Sequence, residues 1–198
     1  LDEEIEVTGN YVLIAGGRGP VFDSLGLDEA RVEYSHRGIA VNENFETNIS
    51  GIYAIGDVNG GVQLAHVASA QGEYVVENLL GEKSEKDFEN FPNCVFTMDE
   101  VAHVGNTEEM LKEKGIDYKV SKANFASNGK SLAMGNVNGF VKILGDNDGN
   151  ILGVHIIGPN ANLIIAEATL AIANNLKVKD ILKTIHAHPT LEETFSEA

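Results

Sequence analysis

The densest run of chemically capable side chains is His186-Ala187-His188-Pro189-Thr190-Leu191-Glu192-Glu193. An imidazole held by a carboxylate is a general acid–base pair, because the carboxylate orients the ring and favours its protonated form. His188 with Glu193 is one such pairing. His186 is an equal candidate, either as the functional histidine or as a satisfied core residue. A structural pattern competes for the same residues: Thr190-x-x-Glu193 is a capping box, with Thr190 at the N-cap and Glu193 at N3 of a short helix. Both readings hold together if that helix aims Glu193 at His188.

Two glycine-rich patches follow in interest. Ile52-Tyr53-Ala54-Ile55-Gly56-Asp57 is an apolar run ending in Gly-Asp. The glycine lets a ligand approach the backbone, and Asp57 offers a carboxylate to the hydroxyls of a sugar or ribityl chain, as acidic residues do in dinucleotide folds. A plain turn, with Asp57 capping the next element, is as good a local reading. Tyr11-Val12-Leu13-Ile14-Ala15 runs into Gly16-Gly17-Arg18-Gly19-Pro20, which predicts a buried strand entering a flexible loop.

Composition removes several classes. In 198 residues, 14 Lys and Arg face 30 Asp and Glu, a formal charge of −16. That balance argues against nucleic acid and against an anionic membrane surface, since phosphates require clustered cations. A hydrophobic share of 43% is enough for a packed core. The longest apolar stretch, Leu163 to Ile172, is broken by Glu167 and Thr169 and is too short to span a bilayer. One cysteine, Cys94, excludes an internal disulfide, a Cys-rich zinc site and a dithiol centre, and it fits a reducing compartment. No metal site is predicted. The chain opens Leu1-Asp2-Glu3-Glu4, with neither an initiator Met nor a basic signal region, and reads as a fragment. Asn48-Ile49-Ser50 matches a glycosylation sequon, a pattern short enough to arise by chance.

The elements that must position these residues suggest an α/β first part and an α+β second part. A helix is predicted over Gln63–Leu80, stopped by Gly81. Mixed charge from Glu82 to Asp87, then Pro92, marks either a domain boundary or a charged surface loop. Beyond it, a mainly antiparallel sheet is predicted. Phe140–Leu144 and Ile151–Ile157 form its clearest hairpin, around Gly145-Asp146-Asn147-Asp148-Gly149-Asn150. Read as a calcium loop with Gly149 sixth, this turn would put Leu144 at the first ligand position, so calcium is rejected. A short helix begins at Asn106 or Thr107 and stops at Gly115. Pro159–Leu176 is a longer helix, apolar over most of its circumference, with at least one face to bury against this chain or another. Asp180–Lys183 is a further short helix. His155 sits on an apolar strand as a core residue, while His36, His66 and His103 have no evident partner.

Taken together, the patches resemble the FAD-dependent pyridine nucleotide–disulfide oxidoreductases. Residues 47–57 are similar to that family's second flavin-binding motif, which implies that Asp57 binds the ribityl chain. Gln63-Leu64-Ala65-His66 resembles the segment whose backbone lies along the flavin, with Gln63 where Met is usual. Val12–Pro20 resembles the Ala-Thr-Gly-Arg-Arg-Pro end of the nicotinamide-dinucleotide domain, Gly17 matching the glycine near NAD while Gly16 and Gly19 replace Thr and Arg. His-x-His-Pro-Thr-x-x-Glu resembles the signature of the dihydrolipoamide dehydrogenases, which implies that His188 is the base and Glu193 its partner. Val101–Gly105, Lys114–Val120 and Gly153–Ala161 agree; Asp99 departs, standing where the family has Pro.

The resemblance implies the end of an NAD-binding domain over residues 1–20, the closing segment of the FAD-binding domain over 21–83, and an interface domain over 84–198. It also implies FAD and NAD as cofactors and a homodimer in which the base serves the partner's site. The substrates implied are dihydrolipoyl groups of 2-oxoacid dehydrogenase complexes or the glycine cleavage system. The implied compartment is the bacterial cytoplasm or a eukaryotic organelle matrix such as the mitochondrial. Neither Gly-x-Gly-x-x-Gly loop nor the Cys-x4-Cys pair is present. The chain by itself is therefore expected to be inactive and to hold neither cofactor. A glutathione-reductase-like enzyme and a stand-alone dimerisation module are the alternatives.

Overall fold

The computed structural model describes residues 6–198, so the acidic opening at Leu1–Glu4 lies outside the described residues. The chain divides into two units between Ser84 and Glu85. In the first, helix α1 (Leu27–Ala30) precedes a two-stranded antiparallel ribbon, β1 (Tyr34–Ser35) and β2 (Gly38–Ile39). A 3-10 turn (Gly56–Asn59) then leads to helix α2 (Ala65–Leu79). Val32, Ile39 and Ala54 form a small core with Phe22, Leu27, Val41, Ile49 and Val58 around it. Asn48 is part of this framework: its amide accepts from Glu33 N–H at 2.8 Å and donates to the Arg31 carbonyl at 2.9 Å.

Two strand expectations fail in this unit. Tyr11–Ala15 forms no strand and is open to solvent, Leu13 being 90% exposed. Ile52–Asp57 reduces to one antiparallel bridge, Glu46 with Tyr53, followed by the 3-10 turn. The physical reason is shared. A run apolar on both faces is buried only between sheet neighbours, and among the described residues Tyr11–Ala15 has none while Ile52–Asp57 has only 45–47 beside it.

The second unit carries a five-stranded antiparallel sheet of order β3-β4-β7-β6-β5. Its strands are β3 (Asn93–Val95), β4 (Glu100–Gly105), β5 (Lys119–Asn124), β6 (Phe140–Gly145) and β7 (Ile151–Gly158). Alternation sets its two faces. Ala102, Ile156, Val141 and Ala123 form one buried rung, and Val104, Val154 and Ile143 the next. This layer packs against helix α5 (Ala161–Ala173) through Ala161, Ile164, Ile165, Ala168 and Ala171. The opposite face carries His103, His155, Lys142 and Lys122 in register across four strands.

The hairpin turn is organised by Asp146, whose carboxylate accepts from the backbone of Asp148 and Asn150 and from the Asn150 amide. Helix α3 (Glu108–Glu113) is capped by Thr107, not Asn106: the Thr107 hydroxyl accepts from Met110 N–H. Helix α4 (Gly129–Met134) is capped by Asn128 in the same way. Helices α6 (Val178–Lys183) and α7 (Thr194–Glu197) close the chain. Leu163 and Leu170 on α5 face outward and stay exposed.

Candidate active site

Between α6 and α7 the chain runs from Thr184 to Glu193 with no helix or strand. Its backbone groups find no ladder, so side chains must hold it. Thr190 receives most of these ties. Its carbonyl accepts from the amide of Asn128, which is only 1% exposed, at 3.0 Å. Its N–H donates to Glu193 Oε2 at 2.9 Å, and its hydroxyl donates to the Ala187 carbonyl at 2.7 Å.

His188 stands within this segment, and its Nδ1 lies 2.9 Å and 3.2 Å from the two oxygens of Glu193. One carboxylate thus closes half of the capping box and holds the imidazole as well. The short helix begins later than the box pattern implies, with Glu193 itself at the N-cap of α7. The N–H of Thr190, and next the bond to His188, hold the Glu193 carboxyl below the usual carboxylate range. The His188 ring is 77% exposed against 26% for the Glu193 side chain. With Nδ1 engaged, the accessible Nε2 is the atom that can take or give a proton.

His186 does not share that exposure. It contacts Glu167 of α5 and Ser196 of α7 and is nearly enclosed. Sequence reasoning left His186 open and missed Glu167, Ser196 and Asn128; nothing in their spacing marks them. His155 donates from Nε2 to the Asn106 carbonyl at 3.0 Å and stacks on His103, ring centroids 5.7 Å apart. Cys94 lies on β3 against the core, and burial, with the charge of Glu100 second, pushes its thiol up and away from the reactive thiolate.

In the first unit Asp57 lies in the 3-10 turn. Gly56, at φ +71°, packs so closely on α2 that a Cβ there would meet Ala68 Cβ at 2.9 Å. Gln71, buried in α2, fixes the turn by accepting from Gly56 N–H at 2.7 Å and from Asn59. Asp57 pairs with Arg18 at 3.3 Å, an exposed contact of small energetic weight. Gln63 and Leu64 lead into α2, and Ala65 and His66 are its first two residues. That helix starts without a side-chain cap from Leu64, and the N–H groups of a helix start suit the carbonyls and anionic edge of a ligand. The Asp57 carboxylate as acceptor and the N–H groups at the start of α2 as donors fit a flavin with its ribityl chain. Gly17, at φ +95°, lies in the exposed segment, and among the described residues nothing beyond its chain neighbours lies within 4 Å of a Cβ built there. These residues do not build a dinucleotide cradle, and no step through NAD is derived from them.

The chain belongs to the pyridine nucleotide-disulphide oxidoreductases: residues 91–198 match that family's dimerisation domain and residues 1–72 its pyridine nucleotide-disulphide oxidoreductase domain. It is 43% identical to the mitochondrial dihydrolipoyl dehydrogenase of Pisum sativum, over 99% of this chain and 40% of that protein. Against the Sus scrofa enzyme of the same name it is 45% identical, over 97% of this chain and 38% of the relative. A leghemoglobin reductase of Glycine max is 43% identical, over 99% and 38%. Among solved structures, LpdA from Mycobacterium tuberculosis superposes with a TM-score of 0.84 at 27% identity, covering 90% of this chain and 40% of LpdA. The HOCl-induced flavoprotein disulfide reductase RclA from Escherichia coli gives 0.85 at 27%, covering 92% and 43%. The chain thus spans about 40% of the length of the relatives it matches.

Proposed function

We propose that this chain is the C-terminal part of a flavoprotein dihydrolipoyl dehydrogenase, which oxidises dihydrolipoyl groups with NAD+ as final acceptor. The His188–Glu193 contact carries the reading. Glu193 fixes the ring through Nδ1 and stabilises the charge that develops on it. Nε2 then removes a proton from a lipoyl thiol. The resulting thiolate attacks one sulfur of a disulfide, forming a mixed disulfide and releasing a thiolate. The second lipoyl thiol attacks the lipoyl sulfur of that bond, leaving oxidised lipoamide and a dithiol on the enzyme. The reactive cysteines come from sequence outside these 198 residues, since Cys94 stands alone. FAD, when bound, would supply the acceptor for the electron pair of that dithiol. Asp57 would hold its ribityl hydroxyls, and the Gln63–His66 backbone would lie along its ring.

The matched dimerisation domain supports a homodimer in which His188 serves the partner's site. The exposed Leu163 and Leu170 of α5 supply apolar surface for that contact. Dihydrolipoyl groups of 2-oxoacid dehydrogenase complexes or of the glycine cleavage system are the proposed substrates. The organelle matrix is the proposed compartment in a eukaryote, as the mitochondrial relatives suggest, and the cytoplasm in a bacterium. In the full-length enzyme, His188→Gln is expected to lower lipoamide turnover by about 10²- to 10⁴-fold with FAD retained. Wild-type turnover in that variant would remove His188 from the role.

A further inference from the structure

A second imidazole–carboxylate contact lies two residues upstream of His188. His186 Nε2 is 2.9 Å from Glu167 Oε1 on α5, and its Nδ1 is 3.1 Å from the Ser196 hydroxyl on α7. A carboxylate only accepts, so Nε2 carries the hydrogen, and in the neutral ring Nδ1 accepts from Ser196. The His186 side chain is 8% exposed, a tenth of the exposure of the His188 ring. One histidine is tied from two helices and shut from solvent; the other, two residues on, is presented outward.

The same segment is anchored again two residues after His188, where Asn128 holds the Thr190 carbonyl and Glu193 the Thr190 N–H. His188 therefore sits midway between two fixed points on a stretch that has no ladder of its own. We propose that His186 is a positioning residue for His188: Glu167 and Ser196 lock its ring, and the locked ring sets where the backbone delivers the exposed imidazole. The inference rests on the reading of His188 as the base. Positioning errors of about 1 Å cost up to about 10²-fold in rate, which is the scale of effect at issue.

The test uses the full-length flavoprotein with His186→Ala, His186→Gln and His188→Gln. His186→Ala is expected to lower kcat with dihydrolipoamide about 10- to 100-fold. KM should stay within about twofold, because only the reacting geometry is disturbed. FAD content is expected to be unchanged, as is NADH oxidation by an artificial quinone, which draws electrons from the flavin without the base. His186→Gln keeps an amide N–H able to reach Glu167 and is expected to regain most of the rate. A wild-type kcat in His186→Ala overturns the proposal. So does an equal loss in the quinone reaction, or a His186→Gln variant no faster than His186→Ala. Where His186→Ala does not fold, Ser196→Ala removes one tie at an exposed hydroxyl and is read in the same way. A wild-type rate in His188→Gln refutes the base itself, whatever position 186 shows.

Discussion

Glu193 accepts hydrogen bonds from two directions, the Thr190 N–H and His188 Nδ1. The Thr190 contact of the box pattern and the His188 contact, which compete in the sequence, fall on one carboxylate, although the helix itself starts only after Glu193. Its depressed pKa makes a signed prediction. The folded form binds the proton less readily than the unfolded chain, so the contribution of Glu193 to stability is complete above the ordinary carboxylate range of about 4.3. It is lost as pH falls through the lowered folded value. Glu193→Gln removes that titration, and acid unfolding followed by circular dichroism is expected to show a shallower loss below about pH 4.5 in the variant. In the full-length enzyme the same variant keeps the shape of the contact without its charge. It is expected to turn over lipoamide about 10- to 100-fold more slowly than wild type, a smaller loss than His188→Gln.

Two elements place the candidate site, and neither touches a reacting atom. Asn128 caps α4 with its oxygen and holds the Thr190 carbonyl with its nitrogen while almost wholly buried. Asn128→Ala removes the partner of the buried Ser131 N–H and of the half-buried Thr190 carbonyl. It is expected to cost about 1–3 kcal/mol in denaturant melts, chiefly from the buried Ser131 N–H. The sheet is the second element. On its polar face His103 and His155 stack, and burial, foremost in both, holds their imidazoles below the usual histidine range. For His155 the Asn106 carbonyl opposes that shift, while Lys142 and His103 add to it. His103 Nδ1 finds no hydrogen-bond partner among the described residues. Below about pH 6.5 the unfolded chain takes up protons that these folded histidines refuse, so stability is full above that value and falls with acidification. His103→Phe is expected to flatten the dependence of the urea midpoint on pH between about 7 and 5.

At the scale of the whole molecule, the chain holds two units and one matched dimerisation domain. Helix α5 is apolar nearly all round, as its sequence indicates; the sheet covers one face and leaves Leu163 and Leu170 outside. Glu167, which holds His186, lies between them along the same helix. The proposed dimer contact and the tie that holds the His186–His188 segment thus share α5. In the full-length protein, Leu163→Glu with Leu170→Glu would bury two charges without partners in that contact. Light scattering at micromolar concentration is expected to find monomers, and lipoamide turnover is expected to be lost if, as proposed, His188 serves the partner's site.

Much of this is legible in the sequence. The hairpin signal of Phe140–Leu144 and Ile151–Ile157, the glycine stop of α2, the start of α3 at Asn106 or Thr107 and the Ala-rich α5 are local signals. Short-range sterics and hydrogen bonding produce them, so sequence alone reports them. The His-x-His-Pro-Thr-x-x-Glu spacing and the Gly-Asp patch likewise single out His188, Glu193 and Asp57. The tertiary structure decided which histidine is enclosed and which is presented, because that depends on Glu167, Ser196 and Asn128, 19, 10 and 62 residues from the atoms they hold. It also decided that Tyr11–Ala15 is no strand here. An apolar run becomes a strand only when other strands complete its hydrogen bonds, and that is a property of the neighbours, not of the run.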